Sequence, residues 1–209
     1  LGQRPMSVAR LPERLDWPDH RWSDPNGGSI LLHGVLPTVV YPRVMRPRVH
    51  WHALALLESP DVVDMWVQEE KDEAESPGVN LAHGLISGGS FGIYLDEVTL
   101  LEDVTSGSYP DPEPRRLHRN AVRHERPVYF IEPTADDEQW YEHLMVEAKA
   151  ASHWKKLLGL ISLGGKWRKK VKVNIFDAQK PPKGVSPNFG SASVLAATWW
   201  DLNEWLVGE

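Results

Sequence analysis

The sequence predicts an α+β fold: a mostly antiparallel sheet flanked by helices, preceded by a proline-rich N-terminal arm. Three observations carry that prediction. β-prone runs recur through the first two thirds of the chain, the clearest pair being 51–57 and 62–67 about a Ser59-Pro60-Asp61 tip. Helical spacing of apolar residues takes over after Thr134. A length of 209 residues, 41% hydrophobic and 25% charged, suits one core with an arm.

Residues 1–28 are proline-rich and aperiodic, and end in the turn signal Asp24-Pro25-Asn26-Gly27-Gly28. They are read as an arm draped over a single domain of residues 29–209. Residues 29–36 read as a strand. Residues 39–49 are β-prone but interrupted by Pro42 and Pro47, which confines them to an edge or a loop. The pair 51–57 and 62–67 then reads as a hairpin, and the acidic run 68–78 as a solvated loop. The alternative is a helix that begins at Ser59 and runs through those acids. Residues 90–104 supply one or two strands, 106–114 a loop, 115–127 a short basic helix and 128–133 a strand. Thr134 caps the clearest helix, with Asp136, Asp137 and Glu138 in its first turn, where the helix dipole favours anions. A second helical piece covers 153–161, 171–176 alternates as a strand, and Ser191 to Val207 is the last helix.

Composition removes several classes of function. There are no cysteines, so disulfides, thiolate metal sites and a cysteine nucleophile are excluded. A net charge of −6 argues against wholesale nucleic-acid binding. No apolar run reaches the ~18 residues that suggest a membrane span. The opening residues 1–16 lack the apolar segment of a signal peptide, so a cytoplasmic or virion-associated location is expected.

The polar residues that interrupt apolar strands are the candidates for chemistry. His52 and Asp64 lie across the expected hairpin tip; they face each other if the tip centres on Glu58 and are offset if it centres on Ser59-Pro60. An imidazole oriented by a carboxylate is the base half of a catalytic triad. The missing nucleophile belongs at a helix N-terminus, where the dipole favours an anion. Ser191 stands at the expected start of the last helix. Each residue also has a plainer reading: a hydrogen-bonded pair for His52 and Asp64, and a helix cap for Ser191.

Five segments in order strengthen the sharper reading: Gly28 to Gly34, Trp51 to Leu56 with His52, Val62 to Met65 with Asp64, Thr134 to Gln139, and Ser191 to Leu195. Their order resembles the circularly permuted NlpC/P60-type papain-like cysteine hydrolases. The resemblance covers roughly residues 28–67 and 128–200. It implies that residue 191 attacks a carbonyl, that His52 moves the proton, that Asp64 fixes the imidazole, and that the last helix's N-terminal amides donate to the oxyanion. It implies peptide or amide substrates, peptidoglycan stem peptides first, with acyl chemistry among permuted relatives. The chain departs from the pattern. Ser191 stands where the family has cysteine, a one-residue shift would place Gly190 there, and the orienting residue is Asp. A deliberate Cys-to-Ser trap, a natural serine variant and a pseudoenzyme are all compatible with that.

Other features complete the expectations. Trp51 and Trp199 are candidate substrate-gripping aromatics. No histidine set has ligand spacing, so no metal and no cofactor is assigned. The run Lys166–Lys172 reads as a solvated edge strand or as a polyanion contact. The arm is a possible seat for protein partners. The favoured function is thus a papain-like amide or ester hydrolase, in an inactivated or serine-substituted form. The alternative is a non-catalytic structural or binding protein, such as a virion or envelope component.

Overall fold

In the computed structural model, which describes residues 20–47, 49–105, 112–177 and 184–207, helices dominate. Two short two-stranded ribbons replace the expected sheet. Strands β1 (His20–Ser23) and β2 (Ser29–Leu32) pair antiparallel, with His20 opposite Leu32. The turn between them is the Asp-Pro-Asn-Gly-Gly signal itself: Asp24 Oδ1 accepts from Asn26 N at 2.7 Å, and Gly27 and Gly28 take φ of 101° and 95°. The end of the expected arm is therefore one half of a hairpin; residues 1–19 lie outside the described residues. Strands β3 (Leu54–Leu56) and β4 (Val128–Phe130) pair parallel. The fold mixes helix and strand, as expected, but it is not a mostly antiparallel sheet.

The expected hairpin is the largest correction. Ser59-Pro60-Asp61 is not a tip but the entry to helix α1 (Val62–Glu75). Val62 N donates to Ser59 O at 3.1 Å and Val63 N to Pro60 O at 3.2 Å. Within α1 the buried residues are Val62 and Trp66, four apart, so the apolar pattern follows a helical period and not a strand's. The Glu, Gln, Lys and Ala residues after them are good helix formers, and Gln68, Glu70, Lys71, Ala74 and Glu75 face solvent. The reading that began a helix at Ser59 is the one the fold adopts.

Helices α2 (Val79–Ser87) and α3 (Ser90–Thr99) follow. The strands expected over 90–104 give way to α3, which buries Ser90, Tyr94, Leu95 and Val98 on one helical face. Helix α4 (Pro112–Arg123) and strand β4 fall where the sequence placed a short helix and a strand; most of the loop expected over 106–114 lies outside the described residues. Helix α5 (Glu138–Ala151) is capped by Asp137 and not by Thr134: Asp137 Oδ1 accepts from Trp140 N at 2.8 Å. Helix α6 (Trp154–Leu160) matches its expected span. Helix α7 (Leu163–Asp177) absorbs the run 171–176, whose alternation is overridden by burial of Trp167 and Asn174 two helical turns apart. Helix α8 (Pro187–Val207) starts before Ser191, with proline in its first turn.

Two hydrophobic clusters result. The larger joins α3, α7 and α8 to the segment Leu36–Met45, with Tyr41, Tyr94, Leu95, Trp167 and Ala192 inside. The smaller packs Leu56, Val62 and Trp66 against Leu54, Val63, Val128 and Phe130, where α1 covers the β3–β4 ribbon.

Candidate functional site

His52, Asp64 and Ser191 fall in three separate segments of the described fold. His52 is exposed just before β3, and its ring stands edge-on to His50 at 4.7 Å. Asp64 is exposed in the first turn of α1, where the helix dipole favours an acid. Ser191 is exposed inside α8, past the N-terminal amides that were expected to serve an oxyanion. No hydrogen bond, ion pair or ring contact joins any two of these described residues. His52 and Asp64 flank elements of the smaller cluster, whereas the helix that carries Ser191 lines the larger one.

The aromatic candidates pack against other side chains. Trp51 lies under the Arg126 guanidinium, 4.1 Å from the ring centre. Trp199 packs on Phe91 at 5.0 Å and Tyr94 at 6.1 Å beside the larger cluster. In the basic run, Lys166 sits 3.3 Å over the Trp205 ring and Lys170 pairs with Asp201 at 3.2 Å. Among the described residues no group of three His, Asp or Glu is placed to hold a metal ion.

A different constellation is built around the start of α4. Glu113 lies in that helix's first turn and is 2% exposed. Arg116, one turn on, donates its Nε to Glu113 Oε2 at 2.8 Å, and a second guanidinium nitrogen donates to Oε1. His33, in the loop after β2, reaches the same Oε1 through Nε2 at 3.3 Å. Burial alone would raise the Glu113 carboxyl; the hydrogen bonds and charges of Arg116 and His33 outweigh it and hold the group below the usual carboxylate range. Glu113 is a carboxylate that fixes Arg116.

The neighbouring wall is fixed as firmly. The His33 ring meets Tyr41 edge-on at 5.5 Å. The Tyr41 hydroxyl donates to Gly34 O and accepts from Leu36 N, both at 2.7 Å. The Tyr41 carbonyl accepts from Arg46 Nε at 3.0 Å, which orients that guanidinium. Arg43 follows Pro42 in the 3-10 turn Arg43–Met45. Arg43, Arg46, Pro47 and Arg116 together line an open cavity of about 550 Å³. Among the described residues no ion-pair partner is found for Arg43 or Arg46.

This site was only half visible in the sequence. The basic character of 115–127 is plain in the sequence, but nothing local shows that Arg46 and Arg116 converge. The available signal was Glu113 between two prolines ahead of paired arginines: an acid placed where a helix begins and a cation one turn on.

No family model matches the chain, and neither a curated protein nor a solved structure matches it.

Proposed function

We propose that this chain is a non-catalytic binding protein whose ligand is an anion, phosphate- or carboxylate-bearing, held in the arginine-lined cavity. One observation carries the reading: three guanidiniums, Arg43, Arg46 and Arg116, face one cavity, and two of them are oriented by buried partners. A planar, permanently charged fork matches phosphate and carboxylate oxygens, and pre-orientation lowers the entropic cost of binding. Glu113 neutralises part of Arg116; Arg43 and Arg46 leave the cavity cationic.

The papain-like hydrolase reading needs His52, Asp64 and Ser191 in one place. His52 and Asp64 border the smaller cluster while Ser191 sits on a helix of the larger one, which supports the non-catalytic alternative instead. The order of motifs that suggested the hydrolase contains a hairpin that the chain folds as a helix entry.

Calorimetric titration of inorganic pyrophosphate at low salt tests the proposal. Saturable binding is expected, weakened by about 10- to 100-fold for each arginine removed in Arg43→Ala and Arg46→Ala and by more when the two are combined, since a charge-assisted hydrogen bond is worth roughly 1.5–3 kcal/mol. Equal binding by the double variant, or none by the unaltered protein, overturns it. The hydrolase reading is tested separately with Ser191→Cys. That thiol is expected to react with iodoacetamide at the rate of a free thiol at pH 6–7; faster reaction would point to an activating imidazole and return the triad to consideration.

A further inference from the structure

A surface helix ordinarily turns its apolar stripe inward. Helix α6 does the reverse. Trp154, Leu157, Leu158 and Ile161 recur at the helical i, i+3, i+4, i+7 spacing and are 60%, 49%, 56% and 84% exposed. The opposite side is the one fastened to the protein. Lys156 Nζ donates to Leu206 O of α8 at 2.9 Å, and Gly159 lies so close to Trp205 that an added Cβ would stand 2.7 Å from the ring. The outward direction of the stripe is therefore fixed by packing.

Charge accompanies the stripe. Residues 153–177 hold seven of the chain's 23 lysines and arginines and a single acid, Asp177, in a protein of net charge −6. On α7, Arg168, Lys169 and Lys172 share the solvent-facing arc and have no ion-pair partner among the described residues. Ile175 and Phe176 are exposed further along the same helix. A short apolar stripe with tryptophan at one end, followed by unpaired cations, is the pattern of a helix lying in a bilayer interface. No helix among the described residues is long and apolar enough to cross a membrane, which leaves contact with the surface and not a span.

We infer that α6 and the cationic face of α7 form a docking surface for an anionic phospholipid bilayer. The apolar stripe enters the boundary between headgroups and acyl chains, and Arg168, Lys169 and Lys172 meet lipid phosphates. The acidic remainder of the chain is repelled by the same surface, so charge also selects the orientation. The surface shares no residue with the arginine cavity.

Flotation with vesicles tests this. The unaltered protein is expected to float with phosphatidylcholine vesicles containing phosphatidylglycerol, and not with phosphatidylcholine alone. Combining Leu158→Glu with Ile161→Glu should abolish flotation. Combining Lys169→Ala with Lys172→Ala should weaken it about 25-fold, at about fivefold per charge. Both pairs are exposed, so an unchanged circular dichroism spectrum and melting temperature check the fold. Failure of the unaltered protein to float, or equal flotation by the Leu158/Ile161 variant, overturns the inference. So does self-association, seen by sedimentation and removed by Ile161→Glu, in a protein that does not float: the stripe would then be a contact between copies.

Discussion

Glu69 shows how one side chain in α1 ties stability to pH. Burial raises its carboxyl, Arg115 opposes that and Asp72 adds to it, and the group is pushed up to about 7. Its Oε2 is buried without a hydrogen-bond partner among the described residues. The folded state therefore holds a proton that the unfolded chain, at the ordinary value of 4.5, has released. Between those values the folded protein binds more protons, so its stability falls as pH rises. Urea midpoints are expected to decline from pH 4.5 to above 7, and Glu69→Gln should flatten that decline and raise the midpoint at pH 8. A variant with an unchanged pH profile would sink the assignment. Little at this scale was legible in the sequence. Glu69 is one acid in an acidic run, and only the packing of α1 against Arg115, which donates to Trp66 O at 3.2 Å, separates it from its neighbours. His52, Asp64 and Ser191 stood out because they interrupt apolar runs; all three are exposed, His52 ahead of β3 and the other two on helices.

At the scale of elements, the legible part of the fold is where local chemistry and tertiary packing agree. The Asp-Pro-Asn-Gly-Gly turn, the α4 and α6 spans and the β4 strand all came from such signals. The misread segments share one cause. Residues 62–67, 90–99 and 171–176 are rich in valine, isoleucine and aromatics, which favour strands locally, while the burial they achieve has a helical period. Glycine supplies the missing context for α3. Gly92 faces the end of α2, and a Cβ there would lie 2.7 Å from Leu85 O, so the two helices approach at a distance no side chain permits. Leu85 O belongs to backbone, which cannot swing aside. Gly92→Ala is expected to gain the helix propensity of alanine and still lose about 1–3 kcal/mol through the displaced backbone. A thermal melt decides it: a variant as stable as the original would show that α2 and α3 can separate without cost.

Across the whole molecule, burial is uneven, and stability should follow it. The cluster of α3, α7 and α8 holds the fully buried Tyr94, Leu95, Val98 and Trp167, and Asn174 Nδ2 donates across helices to Thr198 Oγ1 at 3.0 Å. Helices α5 and α6 bury no residue at all. Opening a segment costs the apolar contacts it loses, so the free energy of local opening ranges from near zero up to the global value. Amide hydrogen exchange should accordingly be slowest in α3 and in the middle of α8. It should be markedly faster in α5 and α6, whose amides open without unfolding the core. Uniform protection over all these helices would mean that the chain unfolds as one unit and that surface contacts of α5 and α6 are stronger than their exposure implies. The same measurement joins this scale to the lipid surface. A helix that opens cheaply is stabilised by whatever binds only its folded form. Anionic vesicles should therefore slow exchange in α6 far more than in α3, while vesicles of phosphatidylcholine alone leave both unchanged.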